Sequence, residues 1–213
     1  FPLVGILIGM ILVVLYDLMK RIPLHSPLVE GILLITWIAL TGGLHLEGFA
    51  DMVDGFSGGR TKDDMIRIMK DGSIGAKGAI ALLLFILLKF LLLYSLVDTI
   101  KIEALFLAPV IGRWAMVMAG YWGQPASSEN TLTRIFTLNL GKKELFIATL
   151  FTIGFGFYRL SHLFLFFLVF SGIITRLMVF FSNTKIQGIC GDVIGAINEL
   201  SELSVLLLFL LVI

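Results

Sequence analysis

Charge is scarce in this chain. Only 15% of its 213 residues are Asp, Glu, Lys or Arg, against about 25% in an ordinary soluble domain. The two signs nearly cancel, to +1 at pH 7, so the basic excess of a nucleic-acid binder is missing and no nucleic-acid partner is expected. Cysteine is rarer still. Cys190 stands alone, which excludes an intramolecular disulfide and any cysteine-based metal spacing. No solenoid repeat or low-complexity tract is seen, and no cleavable signal peptide is expected. The chain opens on Phe1 rather than Met, which reads as trimming, and "FPLVGILIGMILVVLY" reads as a first span that stays.

What is abundant is hydrocarbon. The chain is 58% hydrophobic and holds 18 Phe, and several stretches reach the roughly 20 apolar residues that a bilayer core requires. In lipid each helix satisfies its own backbone hydrogen bonds. The expected fold is therefore all-α, a polytopic membrane bundle forming a single integral domain over 1–213. About seven spans are expected, at 2–18, 28–49, 75–97, 103–122, 144–158, 162–181 and 192–213. They are separated by "KRIP", "VDTIK", "GQPASSEN" (123–130) and "YRLSH" (158–162) among other breaks. The even-numbered loops carry Arg60, Lys62, Arg67, Lys70, Arg134, Lys142, Lys143 and Lys185, and the odd ones only Lys20, Arg21, Lys101 and Arg159. That asymmetry places the even loops in the cytoplasm.

Against this background the segment "GGLHLEGFADMVDGFSGG" stands out, because it follows an apolar run yet contains Glu47, Asp51 and Asp54. At about 100° per residue these acids fall within an arc of roughly 60° on one helix face. Like charges so close suit either protonated carboxyls or a shared divalent cation, and oxygen-only ligands favour a hard ion, Mg²⁺ or Mn²⁺. Gly43, Gly48 and Gly55 on or beside that face leave room for a ligand. The last span begins similarly, "QGICGDVIGAINELSEL", with Asp192, Glu199 and Glu202 within roughly 80°. Asp192 is the expected contributor to a shared metal site, while Glu199 and Glu202 lie deeper and can instead pair with Lys89, Arg113 or Arg176. His45, about 160° from Glu47 around the helix, points away from the acids. Thr61 and Asp64 resemble a capping box opening a short helix. Its Met65, Ile68 and Met69 form an apolar stripe suited to the membrane interface, with Gly72 as the expected end. A catalytic loop and interfacial helix are thus expected at about 51–74. Ser57, Gly58 and Gly59 can present N–H groups to a phosphate, with Arg60 adding charge. Arg113, inside a span, has two natural partners, a phosphate or a structural carboxylate.

These motifs, with "RIMKDGSIGAKGA", "GRW" and "GICGDVIGAINELSE" in order along nearly the whole chain, resemble those of the cobalamin synthase (adenosylcobinamide-GDP ribazoletransferase) family. The resemblance implies an Mg²⁺-dependent enzyme of the cell membrane, facing the cytoplasm. It would transfer phosphocobinamide from adenosylcobinamide-GDP to α-ribazole or its 5′-phosphate and release GMP. In that chemistry Glu47, Asp51, Asp54 and Asp192 would hold one or two Mg²⁺ ions, with Mn²⁺ as a substitute. Arg60, Lys70 and Arg113 would hold phosphate oxygens, and Asp54 or Asp71 would take the ribazole hydroxyl proton. The lipid bilayer is the other expected partner, and self-association into a homo-oligomer is left open. Glu47 stands where the family more often has Asp, Ser73 and Lys77 replace an Arg and an aromatic, and Cys190 replaces a Thr. The stretch "ENTLTRIFTLNLG" matches poorly, so Arg134 receives no role from it. Two rival readings are a CDP-alcohol phosphotransferase, whose Asp-Gly-x-x-Ala-Arg signature is missing from "EGFADM", and a cation-coupled transporter, which would spread its ionisable groups along a path across the bilayer.

Overall fold

A chain this apolar can hide its peptide groups from lipid only inside helices, and helices dominate the structure, a computed structural model that describes residues 1–126, 132–160 and 163–212. In order these are α1 (Pro2–Lys20), α2 (Ser26–Leu40), α3 (Leu44–Gly58), α4 (Lys62–Lys70), α5 (Ala76–Ser95), α6 (Asp98–Trp122), α7 (Leu132–Leu138), α8 (Lys142–Leu160), α9 (Leu163–Ile186) and α10 (Gly191–Val212). Outward side chains are apolar: Leu83 on α5 is 69% exposed and Phe180 on α9 is 65% exposed, which suits lipid and not water.

Among the described residues five helices, α1, α5, α6, α9 and α10, are long and apolar enough to cross a membrane, and α2 with α3 makes a sixth if that bent pair is one span. This is fewer than the seven expected. The expected seventh, α8, opens Lys142-Lys143-Glu144 and carries Arg159 near its end. Those charges keep α8 out of the set that passes by length and composition, while Arg159 pairs with Glu103 near the start of α6. The expected straight span 28–49 is instead broken, with α2 and α3 meeting at 84°. Gly42 and Gly43 at the break have φ of 63° and 73°, a left-handed backbone that glycine adopts without strain. The turns expected at 123–130 and 158–162 fall partly outside the described residues.

Two packing devices organise the bundle. Gly5 and Gly9, one turn apart on α1, lie so close to α6 that a Cβ would meet Pro109 O at 2.5 Å and Phe106 O at 2.6 Å. Small residues at this spacing let helix backbones touch where no hydrophobic drive is available in lipid. The second device is polar. Lys89 Nζ on α5 donates to Glu199 at 2.8 Å and Glu202 at 2.7 Å, while Arg113 on α6 donates to Glu202 and, at 2.9 Å, to Asn198. The four charges are almost fully buried and pair two against two. Removing one partner from such a set costs about 3–5 kcal/mol, because the others stay buried and uncompensated. The network therefore holds α10 in register with α5 and α6. A smaller set on α1, α2 and α6, Lys101 with Glu30 and Tyr16 with Asp98, ties the opposite end.

Gly9→Leu is expected to lower the thermal midpoint of the detergent-solubilised protein, since overpacking costs about 1–3 kcal/mol. Gly31→Leu, where a Cβ meets nothing within 4 Å, is expected to leave it unchanged. Equal midpoints for the two variants would refute the close α1–α6 contact.

Candidate functional site

Glycine brings the acids of α3 to the start of α10. A Cβ on Gly48 would lie 2.9 Å from Asp192 Cα, and one on Gly195 would lie 3.2 Å from His45 Cα. The two helices therefore run antiparallel in backbone contact over one turn, and the space expected for a ligand at Gly48 is taken by α10. Gly55 is likewise filled, since its Cβ would meet Met69 Cγ at 2.6 Å. Of the charges acting on Asp51, that of Asp192 is the strongest, ahead of Glu47 and Asp54, and Glu47 also acts on Asp192. Carboxylates from two elements thus share one partly buried neighbourhood, where their repulsion calls for a counter-charge.

Among the described residues no three His, Cys, Asp or Glu side chains gather tightly enough to enclose a metal by themselves. The donor set still suits Mg²⁺, which is commonly held by one or two carboxylates, waters and substrate phosphates rather than by a closed protein cage. Asp51 and Asp192, with Glu47 beside them, fit that open pattern.

Asp54 is engaged elsewhere. Its Oδ2 accepts from the Gly75 N–H and its Oδ1 from the Gly78 N–H, both at 2.8 Å. These are N-terminal amides of α5, which lack partners within their own helix. Gly75, the N-cap, has no side chain to serve them, so Asp54 caps α5 from another helix. Lys77 adds a hydrogen bond to Ser57 O at 2.9 Å, and α3 and α5 are joined at this face.

α4 begins where expected, with the Thr61 hydroxyl accepting from Asp64 N–H at 3.2 Å, and it ends at Lys70, just ahead of Gly72. Its apolar stripe packs inward on α3: Met65 and Met69 are buried, against Gly59 and Gly55. The opposite face borders a cavity of about 930 Å³ between α4, the segment after α6, and α7. Lys62, Arg67, Lys70 and Arg134 line it, with Asp63 and Asp71, and Ile66, Pro125 and Leu138 supply apolar wall. A smaller cavity of about 120 Å³ shares Ile66, Lys70, Pro125 and Ala126 with it and reaches Cys190 and Asp192. The wall is held by Ala126 N–H to Ile189 O at 2.9 Å and Ile189 N–H to Gln124 O at 2.8 Å.

Lys70 lines both cavities and so stands between the larger one and Asp192, Asp71 lines only the larger one, and Arg60 is exposed in the α3–α4 turn and lines neither. Arg113 has taken the carboxylate partner. Arg176 pairs with neither glutamate and lies 5.5 Å from the Trp122 ring. His45 sits apart from the acids, near Arg113 and Glu202. Burial first, then the Asp192 charge, pushes the Cys190 thiol up to about 12, so it stays protonated at neutral pH and offers no thiolate.

Comparison with known proteins places this geometry. The model of the cobalamin-5-phosphate synthase family matches residues 1–210. The chain belongs to that family. An adenosylcobinamide-GDP ribazoletransferase of Clostridium kluyveri is 34% identical over 216 residues, covering 100% of this chain and 84% of its own. Proteins of the same name from Clostridium botulinum (strain Okra) and Thermoanaerobacter pseudethanolicus are 38% and 32% identical, over 99% and 98% of this chain and 85% and 84% of theirs. No solved structure matches. Membership of the cobalamin-5-phosphate synthase family displaces the transporter and CDP-alcohol readings.

Asp54→Ala is expected to speed hydrogen exchange at the Gly75 and Gly78 amides and to cost about 1–2 kcal/mol, the worth of a helix cap. Unchanged exchange at both amides would show that Asp54 does not cap α5.

Proposed function

We propose that this chain is an Mg²⁺-dependent adenosylcobinamide-GDP ribazoletransferase of the cell membrane, acting on its cytoplasmic face in cobalamin biosynthesis. One observation carries the reading: a chain matched over almost its full length by this family's model sets Asp51 in the field of Asp192, and Asp192 lines a small cavity together with Lys70. The excess of Lys and Arg in the loops on that side supports the orientation.

In the proposed reaction the hydroxyl of α-ribazole, or of its 5′-phosphate, attacks the phosphorus that carries the cobinamide. The new P–O bond forms as the bond to the GMP oxygen breaks, and GMP departs with the electron pair. Asp51 and Asp192, with Glu47, would hold Mg²⁺, which when bound supplies positive charge to the diphosphate oxygens. Lys70, lining both cavities, holds a phosphate oxygen and offsets charge that grows on the leaving group. Of the two expected bases, Asp54 is tied to two backbone amides and Asp71 lines only the larger cavity, so the hydroxyl proton passes to water at the site. Arg60, exposed in the α3–α4 turn, is a further cation able to swing toward a phosphate, whereas Arg113 acts at a distance by fixing α10 and hence Asp192.

Turnover of adenosylcobinamide-GDP and α-ribazole, with Mg²⁺ titrated and with chelator, tests this. Asp51→Ala is expected to lower kcat on the order of 100-fold or more, with helix content and thermal midpoint retained. Full Mg²⁺-dependent turnover by Asp51→Ala would refute its role, and an inactive wild-type protein would refute the reaction.

A further inference from the structure

The larger cavity is not explained by the acids alone. It lies beyond them, its cations come from two separate helices, and it is larger than phosphate groups require. We infer that this cavity seats the nucleoside monophosphate half of the donor substrate, the half that leaves, while the corrinoid stays outside it. This inference rests on the reading above and assigns its substrate a direction.

Volume is the first argument. About 930 Å³ lies at the upper end of the 300–1,000 Å³ that holds a drug-sized ligand. A nucleotide fits that range, and a corrin macrocycle bearing its amide arms and an adenosyl group does not. Charge is the second. Among the described lining residues Lys62, Arg67 and Lys70 of α4 and Arg134 of α7 outnumber Asp63 and Asp71, a balance that favours an anionic guest. Continuity is the third. The two cavities adjoin, sharing Ile66, Lys70, Pro125 and Ala126, and the smaller one reaches Asp192, so a phosphate at the acids can extend its nucleoside toward the larger space. Ile66, Pro125 and Leu138 offer a base the apolar wall it needs. The rim residues Asp63, Arg67 and Lys70 are exposed, so a nucleotide released by bond cleavage has water ahead of it.

The local fold explains why α4 can do this. Lys62, Ile66 and Lys70 recur every four residues along one face, with Arg67 beside them, while Met65, Ile68 and Met69 occupy the other and rest on α3. One short helix therefore braces the acid-bearing helix and carries cations toward the cavity. Arg134 completes the set from α7.

The test uses the full chain in nanodiscs and reads GMP binding by calorimetry without turnover, alongside KM for both substrates. Lys62→Ala/Arg67→Ala and, separately, Arg134→Ala change side chains outside the carboxylate cluster. Each lost charge-assisted contact is expected to weaken GMP binding about tenfold. KM for adenosylcobinamide-GDP should rise in step, KM for α-ribazole should stay constant, and each variant should keep the helix content of the wild type. Raised salt should weaken GMP binding to the wild-type protein in the same direction. A rise in KM for α-ribazole 5′-phosphate alone would give the cavity to the acceptor and overturn the inference, as would unchanged GMP binding in both variants. Failure of wild-type transfer with intact, mutation-sensitive GMP binding would sink the reaction and leave the nucleotide seat standing.

Discussion

The contact on which the rest depends is the close passage of α3 over the first turn of α10. With no side chain on Gly48, the backbone of α3 comes within van der Waals reach of Asp192, and the carboxylates that follow are brought into one another's field. Any larger residue there would move the helices apart and dilute the shared charge. Proximity of like charges is unfavourable in itself. It persists because α10 is held from below by paired charges that would be costly to separate, Lys89 and Arg113 against Glu199 and Glu202. Stability deep in the bundle thus supports electrostatic tension at its end, where a cation and a diphosphate can relieve it.

The same division of labour runs through the acids of α3. Asp51 and Glu47 face charge, whereas Asp54 is satisfied by amides of α5. By capping that helix it joins the acid-bearing segment to a long span, so that the far end of α3 cannot swing freely. α4 then packs its methionines on α3 and turns its cations outward. The result is an end of the bundle in which each short element has one structural face and one that borders polar space.

Much of this could be read from local pattern. The i, i+4, i+7 register of Glu47, Asp51 and Asp54 and the Thr61 cap are periodic or short-range features, and the structure reproduces both. The break between α2 and α3 is also local, since Gly42-Gly43 allows the left-handed turn, but a long apolar run obscured it. α8 was taken for a span because its centre is apolar, and the charges at both its ends keep it out of the set that passes by length and composition. What pattern could not supply is partnership across long separations. Asp54 meets amides 21 and 24 residues away, and Arg113 meets Glu202 across 89 residues. Arg134 lines the same cavity as Lys62 and Arg67, which only folding brings about. Gly48 and Gly55 looked like openings for a ligand because a missing side chain reads as space; they are filled by neighbouring elements.

A double-mutant cycle on Asp51 and Asp192 bears most directly on the central claim. Turnover would be measured for Asp51→Asn, Asp192→Asn and the pair, at fixed Mg²⁺ and saturating substrates. If the two carboxylates serve one shared site, the double variant loses little more than the worse single variant, because the second substitution removes something already gone. If the two losses simply multiply, the residues act independently and the account of a common site is wrong.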